Sequence, residues 1–214
     1  MLELYTWGTP NGHKVHIMLE ECNAEFNIIP VDINNKSSIE MKISLINVNK
    51  KIPVLVDNHG SDEGKRVIIS ESGAILIYLA NKYQKFLSQA VIERYQSLQW
   101  LMFQMSAVGP IMGQCNHFRG RTNLDNTYPL ERFETEVKRL HSVMNSHLSN
   151  HSYFSGSQYT IADMAIFPWL RLSEKLGIAW SEYPHLHKWF EEIIKRPAVQ
   201  RALKLPDVTI PTKI

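Results

Sequence analysis

The sequence predicts an α/β domain built on a mixed four-stranded sheet, followed by an all-helical domain. Three observations carry that division. Over residues 1–84, short β-forming runs alternate with amphipathic stretches in the order βαβ, α, ββα. Beyond Gln84 the strand signals stop and long helical periodicities take over. Between the two lies a short polar connection, "QKFLSQA", which places the boundaries at 1–84 for the first domain and 90–214 for the second.

The first run, Leu2 to Trp7, is apolar and β-forming, and "FNIIPVDI" (26–33) is a second. A helix between them carries Val15, Ile17, Met18 and Cys22 close to helical spacing, which completes a strand–helix–strand unit. A weaker helix is expected within Ile39 to Leu45. Then come "IPVLVD" and "VIIS", two strands joined by the turn-rich "NHGSDEGKR" and near enough for a hairpin, and a third helix, "ESGAILIYLANKY". This order is that of a thioredoxin-like domain. The second domain reads as helices in "VIERYQSLQWLMFQMSAV", "PLERFETEVKRLHSVMNSHL", "TIADMAIFPWLRLSEKLG" and "HLHKWFEEIIKR". In the third of these, Thr160 and Asp163 form a capping box, so "YTIADMA" is a helix start and not a site.

Composition removes several function classes. With 44% hydrophobic and 21% charged residues the chain belongs among ordinary folded proteins. A net charge of +2 without a long basic run argues against nucleic acid or an anionic membrane as partner. No apolar run approaches the roughly 20 residues that span a bilayer, and a cytoplasmic protein is expected. Cys22 and Cys115 are far apart and form no CxxC, so neither a disulfide framework nor a zinc site is indicated. Of the nine histidines, "HKVH" and "HLH" lack carboxylate or cysteine partners nearby and no HExxH occurs, so the histidines are read as structural or surface groups, with no metal expected.

Three stretches could carry chemistry. "KIPVLVD" puts Pro53 at the start of a strand, where it is either an edge-strand start or the second residue of a cis Ile52–Pro53 bond that turns the Ile52 backbone toward an extended peptide ligand. "SESGAIL" starts a helix. Ser70 as N-cap with Glu71 in the first turn accounts for it structurally, yet the Ser72 N–H and hydroxyl could bind a carboxylate while Glu71 pairs with an amino group. Together those two groups describe an α-amino-acid head. In "GTPNGHK", either Thr9 or Asn11 caps the first helix, or the Thr9 hydroxyl and Asn11 amide hydrogen-bond a thiolate brought by a ligand. Redox relatives of this fold place a CxxC at that turn; here it holds no cysteine.

These stretches resemble the glutathione transferase superfamily across essentially the whole chain. "TPNGHK", "NKKIPVLVD", "SESGAILIYLA", "LQWLMFQMSAVGPIMGQCNHF" and "LERFETEVKRL" are similar to the bacterial Nu class in particular. The resemblance implies an N-terminal glutathione-binding domain, a helical domain lining the second substrate site, a homodimer, and glutathione-dependent disulfide-bond reduction with weak transferase or peroxidase side activity. Carried over by position, it implies Thr9 and Asn11 at the glutathione sulfur, Ile52 with Pro53 as backbone clamp, Glu71 and Ser72 at the γ-glutamyl end, and Arg132 on a glutathione carboxylate. Lys51 is a further carboxylate partner, and Ser38 stands where a Gln often contacts glutathione. The structural alternative for Arg132 is an ion pair on the helix surface with Glu136 or a neighbour.

The chain departs from the family pattern at Val48 and Lys50, where a Pro and a second Asn are usual. Tyr5 competes with Asn11 as thiolate holder, with a core role as its alternative. Leu98, Leu101, Met102 and Met105 form an apolar stripe read as core or interface, and the resemblance adds that part of that helix lines the second substrate site. Two other functions stay open: a detoxifying transferase acting on electrophiles, and a glutathione-binding scaffold without turnover.

Overall fold

The computed structural model describes residues 1–60, 64–121 and 125–207. The described residues fall into two compact units: Met1–Gln84 with the residues from Arg196 onward, and Lys85–Lys195.

The first unit holds strands β1 (Leu2–Thr6), β2 (Phe26–Pro30), β3 (Val54–Asp57) and β4 (Val67–Ser70) with helices α1 (Pro10–Cys22), α2 (Lys36–Lys42) and α3 (Ser72–Tyr83). The sheet order is β2-β1-β3-β4. β1 runs parallel to β2 and antiparallel to β3, and β3 is antiparallel to β4, so the sheet is mixed and the fold class is the expected thioredoxin-like one. All four residues of β3 are buried. The single charge in it, Asp57, accepts from the His59 N–H (3.0 Å) and the Tyr78 hydroxyl (2.7 Å), and pairs with Lys82 at 2.7 Å. A buried carboxylate is tolerable with that set of partners, which hold its pKa below the ordinary value against the opposing effect of burial.

α2 begins three residues earlier than expected from its apolar residues. The Asn35 side chain accepts from the backbone N–H groups of Ser37 and Ser38 and so starts the helix at Lys36, a polar signal that apolar spacing does not register. The chain end also differs from the expected 90–214 extent of the helical domain. Helix α9 (Pro197–Ala202) buries Val199 and Ala202 within the first unit, where Arg196 forms a two-pronged pair with Glu21 (2.6 and 3.0 Å) and Arg201 reaches Glu20 at 2.7 Å.

The second unit contains α4 (Val91–Phe103), α5 (Gly109–Arg119), α6 (Thr127–Leu148), α7 (Ile161–Leu170) and α8 (Pro184–Ile194), with a π-helical turn at Gln104–Val108 joining α4 to α5. The inward-facing row keeps ordinary helical spacing up to and through that turn. The buried row is Ser97, Leu101, Gln104 and Val108, while Met102 from the expected stripe is half exposed. Gly109 and Gly113 lie under the Trp169 indole, where an added Cβ would sit 3.3 and 3.4 Å from ring carbons, so "GPIMG" seats a Trp. Asp163 is completely buried and accepts from the Thr160 N–H (2.9 Å), the Phe154 N–H (3.1 Å) and the Trp189 indole N–H (3.0 Å). The capping box is therefore also the tie between α7, the Phe154 turn and α8.

Replacing Asp163 by Ala leaves three buried donors without this acceptor. The expected loss is at least about 2 kcal/mol, more than a cap alone, read from the midpoint of chemical denaturation; an unchanged midpoint rejects this role. A second prediction concerns acid. His141 Nδ1 lies 2.8 Å from the Val137 carbonyl, which can only accept, so Nδ1 carries the proton and Nε2 accepts from the Ser173 hydroxyl at 2.8 Å. Burial pushes the His141 pKa down to about 4. Because the folded value lies below the unfolded one, stability is lost as pH falls from about 6.5 toward 4, by roughly 3 kcal/mol from this group. Melting measured from pH 7 to pH 4 should fall less steeply in His141→Gln than in the wild type.

Candidate functional site

The sheet register lines up the three stretches. Tyr5 pairs with Val54, and Val54 with Ser70, so one row crosses the ends of β1 and β4 and the start of β3. The segments leaving that row are Trp7–Thr9, Lys51–Pro53 and Glu71–Ser72. All three therefore emerge at the same edge of the sheet, and α1 and α3 begin there.

At the first segment, Thr9 is the N-cap of α1, with extended backbone and its hydroxyl oxygen accepting from the Gly12 N–H at 3.2 Å. The capping alternative is thus realised. It does not use the hydroxyl proton, because an accepting oxygen keeps its own O–H to give. Pro10 occupies the first helical position, where no N–H is needed, and half-buried Asn11 follows. Gly12 is required sterically: a Cβ there would overlap the Trp7 carbonyl oxygen and lie 2.7 Å from Thr6 Oγ1. Behind it, His16 Nε2 lies 3.0 Å from Thr6 Oγ1, and burial together with neighbouring His13 pushes the His16 pKa down to about 3, so that this histidine is neutral.

At the second segment, the Ile52–Pro53 bond is cis. Ile52 packs with Tyr5, Ile39 and Ile46 on the cluster of Val31, Ile43 and Val54, which gives Tyr5 the core role and brings α2, with buried Ser38, beside this segment. Ser38 donates its backbone N–H to Asn35 Oδ1. Lys51 is exposed, and its carbonyl accepts from the Asn47 side chain at 2.8 Å; Asn47 also accepts from the Asn49 N–H. Asn47 thus shapes the approach to Ile52, and sequence spacing gave no sign of it. At the departures, Val48 is 97% exposed and Lys50 adopts φ 53°, a left-handed conformation better suited to Asn. Lys50 pairs with Glu40 at 2.8 Å.

At the third segment, the expected Ser70 cap is not formed. Ser70 ends β4, Glu71 occupies the N-cap position at φ 69° and ψ 115° without a side-chain cap, and Ser72 is the first helical residue. A non-glycine residue at that φ is strained, and here the strain leaves the Glu71 carboxylate exposed beside the helix N-terminus. Ser72 is buried and accepts from Lys14 Nζ at 3.3 Å. Lys14 is 1% exposed, and burial, opposed by the charge of Glu71, pushes its pKa down to about 7. Reading for ligand contacts passes over Lys14. The signal available was its place three residues after Asn11, on the same face of α1.

Arg132 is exposed on α6 in the second unit and borders an open cleft of about 680 Å³ with Ile111, Tyr128, Glu131 and Thr135. The expected partner Glu136 is instead held by Arg139 through two bonds of 2.7 and 2.8 Å. Cys22 and Cys115 are buried and form no disulfide, and burial raises the Cys115 thiol pKa. Among the described residues no group of three His, Cys, Asp or Glu side chains could hold a metal ion, and no helix is long and apolar enough to cross a membrane.

Comparison with known proteins agrees with this geometry. Residues 1–81 match the glutathione S-transferase N-terminal domain, and residues 123–197 the glutathione S-transferase C-terminal domain. The chain is 39% identical over 203 residues to the disulfide-bond oxidoreductase YfcG of Escherichia coli K12, covering 95% of this chain and 94% of that protein. A glutathione transferase family member from Pseudomonas fluorescens pf-5, solved with two glutathione bound, superposes with a TM-score of 0.89 at 37% identity, covering 96% of this chain and 93% of that one. A glutathione transferase from Pseudomonas putida, solved with one glutathione disulfide per subunit, gives 0.89 at 38%, covering 96% and 91%. With an N-terminal thioredoxin-like unit, a helical second unit and relatives matched over nearly their full length, the chain belongs to the glutathione S-transferase family.

Proposed function

We propose that this protein is a glutathione-dependent disulfide-bond reductase, of Nu-class type, in which the attacking thiolate belongs to bound glutathione and not to the protein. The observation that supports this most directly is the α1 turn. It offers the Thr9 hydroxyl proton, the Asn11 amide and the positive end of a helix, but no cysteine. Hydrogen bonds to a thiolate and the helix dipole both favour ionisation, which raises the fraction of glutathione able to attack at neutral pH.

The remaining contacts follow from the same edge of the sheet. The Ile52 backbone, preceding Pro53, pairs with the extended tripeptide, as in strand addition. Ser72 takes the γ-glutamyl carboxylate and Glu71 its ammonium. Lys51, Ser38 and, from the helical domain, Arg132 take the remaining polar and carboxylate groups. Glutathione is the co-substrate, and no metal takes part. In the first step the glutathione sulfur attacks one sulfur of the substrate disulfide. The S–S bond breaks, a mixed disulfide forms, and the departing thiolate takes a proton from solvent. A second glutathione thiolate attacks the mixed disulfide, releasing glutathione disulfide and the second thiol. The reading includes a homodimer acting in the cytoplasm. It is supported by the Pseudomonas proteins, which hold two glutathione or one glutathione disulfide, the reactant and product of such an exchange.

Steady-state reduction of 2-hydroxyethyl disulfide by glutathione, coupled to glutathione reductase, tests this. Asn11→Ala is expected to lower kcat/KM by about 10- to 100-fold, less than the roughly 100- to 1,000-fold for losing one oxyanion-hole donor because a thiolate is a weaker hydrogen-bond acceptor than an oxyanion. The double variant Cys22→Ala, Cys115→Ala should keep its turnover, since both thiols are buried. Absent wild-type turnover with rapid conjugation of aryl halides moves the assignment to a transferase, and tight glutathione binding without either reaction moves it to a scaffold. Loss of reduction in a folded double-cysteine variant refutes the borrowed thiolate.

A further inference from the structure

Lys14 is a buried lysine that the exchange chemistry does not use. Its Nζ donates to Ser72 Oγ at 3.3 Å from the interior side, and the ligand side of Ser72 is the N-terminus of α3. When the lysine donates, the Ser72 oxygen is the acceptor and its hydroxyl proton is directed away from the lysine. A neutral amine can instead accept that proton, which turns the hydroxyl inward and removes the donor. We propose that Lys14 is a positioning residue that takes up a proton from solvent when the zwitterionic γ-glutamyl head group binds at Ser72, so that ligand binding at this site is coupled to protonation. This rests on the glutathione reading given above.

The surroundings of Lys14 support the coupling. Glu71, next to Ser72 on α3, is the charge that acts on it, and burial opposes its ionisation, leaving its pKa near 7. The other cation of α3, Lys82, is held by Asp57, to which Tyr78 also donates. On α9, Arg196 is held by Glu21 and Arg201 by Glu20. On α1 itself, His13 and His16 lie 3.4 Å apart, and His16 is neutral. A ligand carboxylate on Ser72 therefore becomes the new charge closest to Lys14. The ligand ammonium acts in the opposite sense but sits by exposed Glu71, where solvent screens it, whereas Ser72 is 3% exposed. The carboxylate prevails and raises the Lys14 pKa. Affinity then falls as pH rises from the unliganded value near 7 toward the higher liganded value.

S-Methylglutathione is the probe, because it keeps the head group and has no thiol to ionise. Isothermal titration at pH 7.5 to 8 in buffers of different ionisation enthalpy reads protons taken up per ligand bound. The wild type is expected to take up about half a proton. Lys14→Gln keeps an N–H donor for Ser72 Oγ but does not titrate; it should retain affinity within about threefold and lose the uptake. Lys14→Met, similar in volume and apolar, should bind at least tenfold more weakly, also without uptake. Equal uptake in wild type and Lys14→Gln, or binding by the wild type with no uptake, overturns the role of Lys14 and leaves the glutathione reading standing. No binding of the probe by folded wild type overturns both.

Discussion

The N-terminal unit depends on how closely α1 approaches the end of β1. At Gly12 there is no room for a Cβ between the helix and the Trp7 carbonyl, so any other residue would push the helix away from the strand. Thr9 can cap α1 only because the turn is this tight, and the same approach sets His16 against Thr6 and Lys14 against Ser72. The last contact joins residues 58 positions apart and ties the start of α1 to the start of α3. Since helix starts carry unsatisfied N–H groups and the positive end of the dipole, placing two of them at one sheet edge favours anionic groups there.

Two unfavourable features coincide at that edge. Glu71 holds a left-handed φ without being glycine, and Lys14 is removed from water to 1% exposure. Each is destabilising alone, and neither improves packing in a way an apolar residue could not match. Both adjoin Ser72, Glu71 as its chain neighbour and Lys14 through its hydrogen bond at 3.3 Å. The proposed zwitterionic ligand head group would meet both, which would give a functional reason for keeping local costs that folding alone would remove. Asp57, by contrast, is a buried charge fully accounted for by structure: three donors surround it and it joins β3 to α3.

Much of the fold was legible because it is written locally. The alternation in "LELYTW" and "VIIS", the Thr160 and Asp163 pair, and the Pro10 and Gly12 turn all specify their own structure over a few residues. What escaped depends on distant partners or on side chains that apolar spacing ignores. The start of α2 is set by the Asn35 side chain, and α9 belongs to the first unit because Glu20 and Glu21 receive its arginines. In α4 and the π turn after it the inward row contains polar Ser97 and Gln104 beside Leu101 and Val108 at ordinary helical spacing, and a count of apolar residues alone does not register its polar members, so it places half-exposed Met102 inward instead. At the site the three segments were legible as separate stretches, and their alignment at one edge comes from the strand order and register. Lys14 was not, because an amphipathic reading assigns a helical lysine to water.

The two cysteines give the chemical reason why a borrowed thiol suits this chain. A protein thiolate at the α1 turn would be permanently present and open to oxidation, whereas Cys22 and Cys115 are buried, and burial disfavours ionisation of Cys115. Thiol–disulfide exchange proceeds best when the attacking thiol has a pKa near the ambient pH, because a thiolate stabilised further loses nucleophilicity as it gains population. A hydroxyl and an amide at a helix N-terminus are moderate stabilisers compared with a lysine or a metal ion. Within α1, Lys14 donates to Ser72, so in the proposed reaction its charge acts at the carboxylate end of the site and not at the sulfur. In the proposed reaction the division of labour follows from charge: Glu71 and Ser72 with Lys14 serve the head group, and the neutral donors Thr9 and Asn11 are left for the atom that must react.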